Sequence, residues 1–230
     1  MSIKDELENK VKSIFREQWT KRDGQVVPSA EDLKLGNDAV KLDGVVLYAD
    51  MSESTKLVDS YYAFFATEIY KAYLHCAAKI IRSEGGDITA YDGDRVMAVF
   101  IGDSKNTSAV RAALKINYVR KEIVNPAIKN QYKDEKYQVK HTIGVDSSKL
   151  FIARTGIRGS NDLVWVGRAA NHAAKLCGLS NDYPTRITAD VYNSIHQSAK
   201  YSDGKSMWQK VTWNDMNRTI YRSTWWWSVS

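Results

Sequence analysis

Three prolines, two cysteines and no long apolar run mark this chain of 230 residues by what it has little of. A bilayer crossing needs roughly 20 consecutive apolar residues, and no stretch approaches that length, which excludes a spanning helix. The start, Met1-Ser-Ile-Lys-Asp-Glu-Leu-Glu8, is acidic and periodic and lacks the apolar segment of a secretory signal. Cys76 and Cys177 are too few for a disulfide framework or a Cys-rich zinc site, and they fit a reducing, cytoplasmic setting. His75, His141, His172 and His196 share no metal-ligand spacing. No internal repeat or low-complexity tract occurs. Lys and Arg are scattered with no basic aromatic platform, so neither nucleic acid nor a membrane is an expected partner.

What is present suffices for one large domain. Hydrophobic residues make up 43% of the chain, ample for a core. The 33 basic against 27 acidic residues leave a net charge of +6, which favours anionic ligands without choosing among them.

Residues 3–19 carry Ile3, Leu7, Val11, Ile14, Phe15 and Trp19 at helical spacing, which predicts an amphipathic helix. The polar stretch 20–43 reads as an ordered linker, so residues 1–42 form a leading segment and 43–230 the main domain. Gly44-Val-Val-Leu-Tyr-Ala-Asp50 is a short buried-type strand that ends in a carboxylate. Ser52 and Ser54 are placed to cap the following helix, whose apolar face includes Leu57, Tyr61, Phe64, Phe65, Ile69 and Leu74. Gly85-Gly86 stops it. Asp92-Gly93 between β-prone runs predicts a hairpin. A second helix over 104–124 should end before Pro126. Strands are expected at 139–146, 150–154 and 163–166, a helix at 169–179, a strand at 186–188 and a helix at 189–196. Two last strands, 207–212 and 219–224, complete the pattern. The order β-α-β-β-α-β with added strands predicts an α+β fold, a ferredoxin-like core of helices on an antiparallel sheet.

Asp50 ends a strand and Asp94 follows a hairpin turn; in a β-α-β-β unit these positions meet at one sheet edge. Paired carboxylates suit hard divalent cations that also bind substrate phosphates. The amides from Met51 through Ser52 and Ser54 to Thr55 would cradle a polyphosphate. Each aspartate alone would read as a helix cap or a solvated turn residue; their pairing gives the functional reading its force. Further on, Asn171 and Lys175 are four apart and share a helix face. An amide there can orient a ribose and an ammonium can face charge developing on phosphate, whereas a solvated polar stripe is the plainer alternative. Ala169, Ala170, Ala173 and Ala174 let that helix pack closely. Tyr48 has the side-chain parity of Asp50, so it is either a wall of the same site or a core aromatic.

Tyr48-Ala-Asp-Met-Ser-Glu-Ser-Thr55, Tyr91-Asp-Gly-Asp-Arg-Val-Met-Ala-Val-Phe100 and Gly167-Arg-Ala-Ala-Asn-His-Ala-Ala-Lys175 together resemble the three linked motifs of the class III nucleotidyl cyclases. The resemblance spans about residues 43–224 in the family's order. It implies that Asp50 and Asp94, with the Met51 carbonyl, hold two divalent ions, Mn2+ or Mg2+. It implies also that Asn171 positions the ribose and that Lys175 stands where the family carries an arginine. Members of the family pair head to tail as homodimers with shared active sites.

Two departures bear on the base. Purine-specific members carry a lysine four residues before the second metal aspartate, where this chain has Ala90. They often carry an aspartate seven residues before the asparagine, where it has Val164 beside Trp165. Apolar groups against a purine's polar edge would leave base groups unpaired at about 1–3 kcal/mol each. With Ile157-Arg-Gly-Ser-Asn-Asp162, these features most resemble the pyrimidine cyclases of the Pycsar antiphage system. The resemblance implies UTP or CTP as substrate, with UTP preferred, and a product that acts on a separate effector protein. An adenylyl cyclase and an inactive nucleotide-binding regulator are the rival readings. The Trp225-Trp-Trp227 tail is left open between packing on the domain, an interface and a partner contact.

Overall fold

The structure, a computed structural model, describes residues 1–229. Its helices are α1 (Ile3–Arg16), α2 (Ser54–Ser60), α3 (Ala63–Ser83), α4 (Lys105–Val119), α5 (Asn125–Gln131), α6 (Arg168–Cys177) and α7 (Ala189–Ser194). Its strands are β1 (Thr20–Asp23), β2 (Asp38–Ser52), β3 (Asp87–Asp92), β4 (Arg95–Phe100), β5 (Lys140–Ile157), β6 (Ser160–Val166), β7 (Thr185–Thr188), β8 (Tyr201–Ser202), β9 (Lys205–Ser206), β10 (Gln209–Trp213) and β11 (Arg218–Ser223). Two compact units divide them: Met1–Asp43 with Lys149–Gly167, and Gly44–Ser148 with the chain from Arg168 onward.

In the smaller unit the stretch expected as a linker contains β1, which runs parallel to the first residues of β2, Thr20 opposite Asp38. Arg22 anchors the pair through a 2.7 Å contact with the Asp38 carboxylate. The amide of Asn37 donates to the carbonyls of Ile14 and Glu17, satisfying acceptors at the end of α1. Helix α1 itself forms as expected, opened by a Ser2–Asp5 capping box, yet buries none of its residues. The far half of β5 pairs antiparallel with β6, so Lys149–Gly167 groups here although the sequence reading placed it in the main domain. The cause is strand length. The two strands expected at 139–146 and 150–154 are one continuous strand of 18 residues. One such strand can serve two units.

In the larger unit the sheet order is β10-β11-β7-β5-β2-β4-β3. The segment β2–α3–β3–β4–α4–β5 is the anticipated β-α-β-β-α-β core, with β2 between β5 and β4. Because side chains alternate along a strand, Val45, Leu47, Ala49 and Met51 enter the core with Phe65, Ile69 and Tyr73 of α3 and Leu114 of α4. The nearly buried Glu84 carboxylate ties α3 to α4 by accepting from Lys115 at 2.6 Å and Arg111 at 3.0 Å. Gly86 follows because its missing Cβ leaves room for the Phe100 ring, which would lie 2.5 Å away.

Two local expectations are corrected, and one open point is answered. The helix after Asp50 breaks at Tyr61 and Tyr62, both extended. At the break the Tyr61 ring stacks on Phe65 at 4.9 Å and meets Tyr137 edge-on at 5.4 Å. Phe64 accordingly leaves the apolar face and is 59% exposed. The chain does not stop before Pro126: a π-helical turn over Arg120–Val124 leads into α5, where Pro126 occupies the first turn and needs no N–H partner. The tail packs on its own domain. Trp225 and Trp227 turn toward the core while the backbone bonds α4, Asn117 Nδ2 donating to the Trp225 carbonyl at 2.9 Å and the Trp227 amide to that of Leu114.

Close approach of α6 to β5 depends on Gly144, since a Cβ there would sit 2.1 Å from the Ala173 carbonyl oxygen. Gly144→Ala should therefore destabilise the fold by about 1–3 kcal/mol, as overpacking does. Urea denaturation checks this, and an unchanged midpoint would contradict so tight a contact.

Candidate active site

Antiparallel pairing of β2 with β4 sets Asp50 opposite Arg95 and Tyr48 opposite Met97. One step on, the Met51 amide donates to the Asp94 carbonyl at 3.4 Å, so the two aspartates predicted to act together are adjacent in the fold. The hairpin loop is Gly93-Asp94 rather than the expected Asp92-Gly93. Gly93 takes φ +60° at the first loop position, as a type II′ turn requires. That one-residue shift carries Asp94 from strand to turn tip.

The Asp50 carboxyl is pushed up to about 6, first by burial, then by the charge of Asp94, with Arg95 partly offsetting both. Two hard oxygen ligands held together against their own repulsion are a donor set that fits a divalent cation. Among the described residues no group of three acidic, His or Cys side chains could hold a metal ion unaided. Any cation at Asp50 and Asp94 would take its remaining ligands from backbone, water or a phosphate chain. Met51 turns its side chain into the core, so only its backbone is available there.

Tyr48 and Asp50 lie on the face of β2 opposite the core-facing Leu47, Ala49 and Met51. Tyr48 is half-buried, and burial raises its hydroxyl's pKa. The Arg95 guanidinium lies 5.7 Å from its ring centre and is held by the Asp92 carboxylate. Sequence reading missed Arg95; the cross-strand register of the hairpin with β2 is the signal that identifies it. Ala90 is half-buried on β3 opposite Met97, beside a register irregularity. Val164 and Trp165 lie on β6 in the smaller unit, opposite Ala153 and Ile152, with Val164 exposed and Trp165 half-buried.

The loop after Asp50 departs from expectation. Neither Ser52 nor Ser54 caps α2; the cap position is Glu53, in the left-handed conformation and without a side-chain cap bond. Its carboxylate is drawn instead to Asn181 at 3.3 Å, Lys140 at 3.4 Å and Lys56 at 3.8 Å. Ser52 Oγ lies 3.4 Å from Thr142 Oγ1, and Thr55 is exposed on α2.

Helix α6 buries Ala169, Ala170, Ala173, Leu176 and Cys177 and exposes Asn171 and Lys175. Its rotation is fixed from the buried side. Cys177 Sγ donates to the Tyr48 carbonyl at 3.4 Å. Arg168 donates to the fully buried Asp146 carboxylate, to the Ser147 carbonyl at 2.6 Å and to Asp190. Thr188 donates to Asp146 at 2.6 Å, and His172 Nδ1 lies 3.2 Å from it, with burial lowering the pKa of that imidazole against the pull of the carboxylate. Asn171 and Lys175 consequently point away from the sheet that carries Asp50. Lys175 Nζ lies 3.9 Å from Met216 Sδ.

No family model matches the chain. A uridylate cyclase of Xanthomonas perforans is 53% identical over 231 residues and the whole of both chains. A uridylate cyclase of Burkholderia cepacia is 49% identical over the same full coverage. One from Rhodovulum sp. (strain MB263) is 39% identical over 98% of each chain. The chain belongs to the uridylate cyclase family. Among solved structures, the adenylyl cyclase CyaB from P. aeruginosa superposes with a TM-score of 0.66 at 19% identity, covering 81% of this chain and 95% of that one. The guanylyl cyclase Cya2 gives 0.68 at 14% identity, over 81% and 94%. At such identities the likeness establishes the class III cyclase fold. Membership makes the protein a nucleotidyl cyclase, and the relatives favour a pyrimidine substrate. No helix among the described residues is long and apolar enough to cross a membrane.

A raised carboxyl pKa has a thermodynamic sign. Asp50 binds its proton more tightly folded than unfolded, so its contribution to stability is present at low pH and is lost as pH rises through about 6. In metal-free protein Asp50→Asn should raise stability at about pH 8, by on the order of 1 kcal/mol once solvent screening of a half-exposed group is allowed for. The difference should vanish toward about pH 4. Thermal melts of both proteins in EDTA across this range test it; equal stability at the upper end would show Asp50 unstrained.

Proposed function

We propose that the protein converts UTP to 3′,5′-cyclic UMP and pyrophosphate, in the cytosol, as the signal-generating enzyme of a Pycsar-type antiphage system whose product acts on a separate effector protein. The observation that carries this reading is full-length identity of 53% to a uridylate cyclase, together with Asp50 and Asp94 brought side by side by β2 and the β3–β4 turn.

In the reaction the ribose 3′-oxygen attacks the α-phosphorus in line, the α–β bridging bond breaks, and pyrophosphate leaves. Asp50 and Asp94, with the Met51 carbonyl, would hold two divalent ions, Mn2+ or Mg2+. Such ions lower the pKa of a bound hydroxyl and neutralise phosphate charge. Asn171 orients the ribose, and the Lys175 ammonium faces charge that develops on the transferring phosphoryl group. The backbone from Met51 to Thr55, including Ser52 and Ser54, runs beside the phosphates. Tyr48 serves as the wall that makes the base pocket short, and Ala90, Val164 and Trp165 replace the polar groups that a purine would require.

We infer a homodimer in which each site takes its carboxylates from one chain and its Asn171–Lys175 face from the other. The outward orientation of that face supports the reading, because the buried side of α6 is already committed to β2 and β5.

Two experiments test the proposal. With equal UTP, CTP, ATP and GTP and manganese, cyclic UMP should dominate. A dominant cyclic CMP corrects the choice of base, and a dominant purine product refutes the pyrimidine assignment. Mixing inactive Asp94→Ala chains with inactive Lys175→Ala chains should restore activity, since one of the two shared sites is then intact. Mixed dimers that stay inactive would assign the site to a single chain.

A further inference from the structure

A cavity of about 260 Å³ lies in the larger unit between the end of α4, the start of β5 and the loop after α6. Arg120, Lys140, His141, Asn181 and Trp226 line it. Two of these groups are left without the partners that burial demands. The half-buried Arg120 guanidinium donates to Asn117 Oδ1 at 3.0 and 3.2 Å and to the Val139 carbonyl at 3.1 Å. No carboxylate among the described residues forms an ion pair with it. His141 is 1% exposed, its Nδ1 lies 3.1 Å from the Tyr73 hydroxyl, and its Nε2 has no partner. A half-buried guanidinium without a counter-anion and a buried imidazole nitrogen without a hydrogen bond both cost stability. Both residues line the one opening.

The remaining lining has the same chemistry. Lys121, on the rim, holds its ammonium 4.9 Å from the centre of the Trp226 ring. Against three cations, Arg120, Lys121 and Lys140, the lining carries one carboxylate, Asp182.

We propose that this cavity is a binding site for a small phosphate-bearing molecule, and that its occupation is transmitted to the loop after Asp50 through Glu53. Phosphate oxygens only accept, which suits a guanidinium, two ammonium groups and the Asn181 amide. Donors on several sides match the tetrahedral spread of phosphate better than the two coplanar oxygens of a carboxylate. The volume, just under the usual range of roughly 300–1,000 Å³ for ligand pockets, limits the molecule to about the size of a sugar phosphate or nucleoside monophosphate, with the Trp226 ring as an apolar wall.

The link to the loop is structural. Lys140 and Asn181 both line the cavity and both donate to the Glu53 carboxylate. A phosphate that draws these donors toward itself releases Glu53, whose left-handed backbone joins β2 to α2. This part rests on the reading of Asp50 as a metal ligand; the site itself does not.

Binding is tested in metal-free full-length protein with inorganic phosphate as the probe, against chloride at equal ionic strength. Phosphate should raise the melting temperature by about 3 °C at roughly tenfold excess over its dissociation constant. The rise should be lost in Arg120→Gln, diminished in Lys121→Gln and retained in Asp50→Ala. Should Arg120→Gln fail to fold, Lys121→Gln combined with Lys140→Gln on the exposed rim carries the same test. No rise in the wild type, an undiminished rise in these variants, or a rise abolished by Asp50→Ala would each overturn the site. For the coupling, phosphate should change turnover at least twofold in the wild type. Lys121→Gln, with basal turnover unchanged, should respond much less. Equal responses, or none in either protein, would overturn the transmission through Glu53.

Discussion

Two carboxylates that repel one another are held together at the end of β2 and the tip of the β3–β4 turn, and much of the larger unit serves to keep them there. The cost is visible in Asp50, whose carboxyl holds its proton up to about 6 because burial and Asp94 both oppose its charge. Left to itself, the chain would relieve that cost by letting the hairpin slide or the strand end fray. It does neither, because β4 is locked in register along six residue pairs of β2, from Val45–Phe100 to Asp50–Arg95. The side chains behind those pairs, Val96, Ala98 and Phe100 on β4 and Leu47 and Ala49 on β2, are buried in the same core as α3. A one-residue slip would turn that whole set outward. Hydrophobic burial thus maintains an electrostatically unfavourable arrangement.

A second constraint acts on α6. The helix has only ten residues, so its orientation cannot come from its own hydrogen bonds; nearly every restraint is external. Gly144 and the small alanines admit it close to β5, and Cys177 bonds the backbone of Tyr48. Asp146 collects Arg168, Thr188 and His172 around a fully buried carboxylate. Removing one partner from such a cluster leaves an uncompensated charge and is far more damaging than its surface counterpart. The arrangement fixes the helix by several independent contacts on its inner face. The exposed pair, Asn171 and Lys175, keeps a defined direction while making few contacts of its own. The proposed shared site would require such a rigid, uncommitted face.

What could be read from residues alone followed the range of the interactions involved. The placements of Asp50, Asp94, Asn171 and Lys175 in the fold were legible because each sits at a strand end, a turn or a helical spacing that local pattern specifies. The parity of Tyr48 with Asp50 was legible for the same reason. The Tyr61–Tyr62 break was not, since the ring that meets Tyr61 edge-on there, Tyr137, lies more than seventy residues on. Neither was the role of Glu53, whose partners Lys140 and Asn181 come from β5 and the loop after α6. Serine caps were expected at the start of α2, and Glu53, drawn to these long-range polar partners, holds the cap position instead. The continuity of β5 escaped because Asp146-Ser-Ser-Lys149 looks like a turn in isolation. In the fold Asp146 is committed to α6 and Ser148 Oγ accepts from the Ala169 amide, which keeps the backbone extended.

The charge pattern at the strand end gives the last step. Asp50, Asp92 and Asp94 face Arg95 alone, and Arg95 is already engaged by Asp92 and by the ring of Tyr48. With the three carboxylates ionised, the local balance is two negative charges in excess. A nucleoside triphosphate approaching this edge would meet repulsion of several kcal/mol at the separations and effective dielectric of a half-buried site. The basic excess of the chain as a whole cannot offset it, because charges beyond a Debye length of about 8–10 Å are screened. A divalent cation held between Asp50 and Asp94 would reverse the sign of that potential, which is why the proposed reaction calls for metal before substrate.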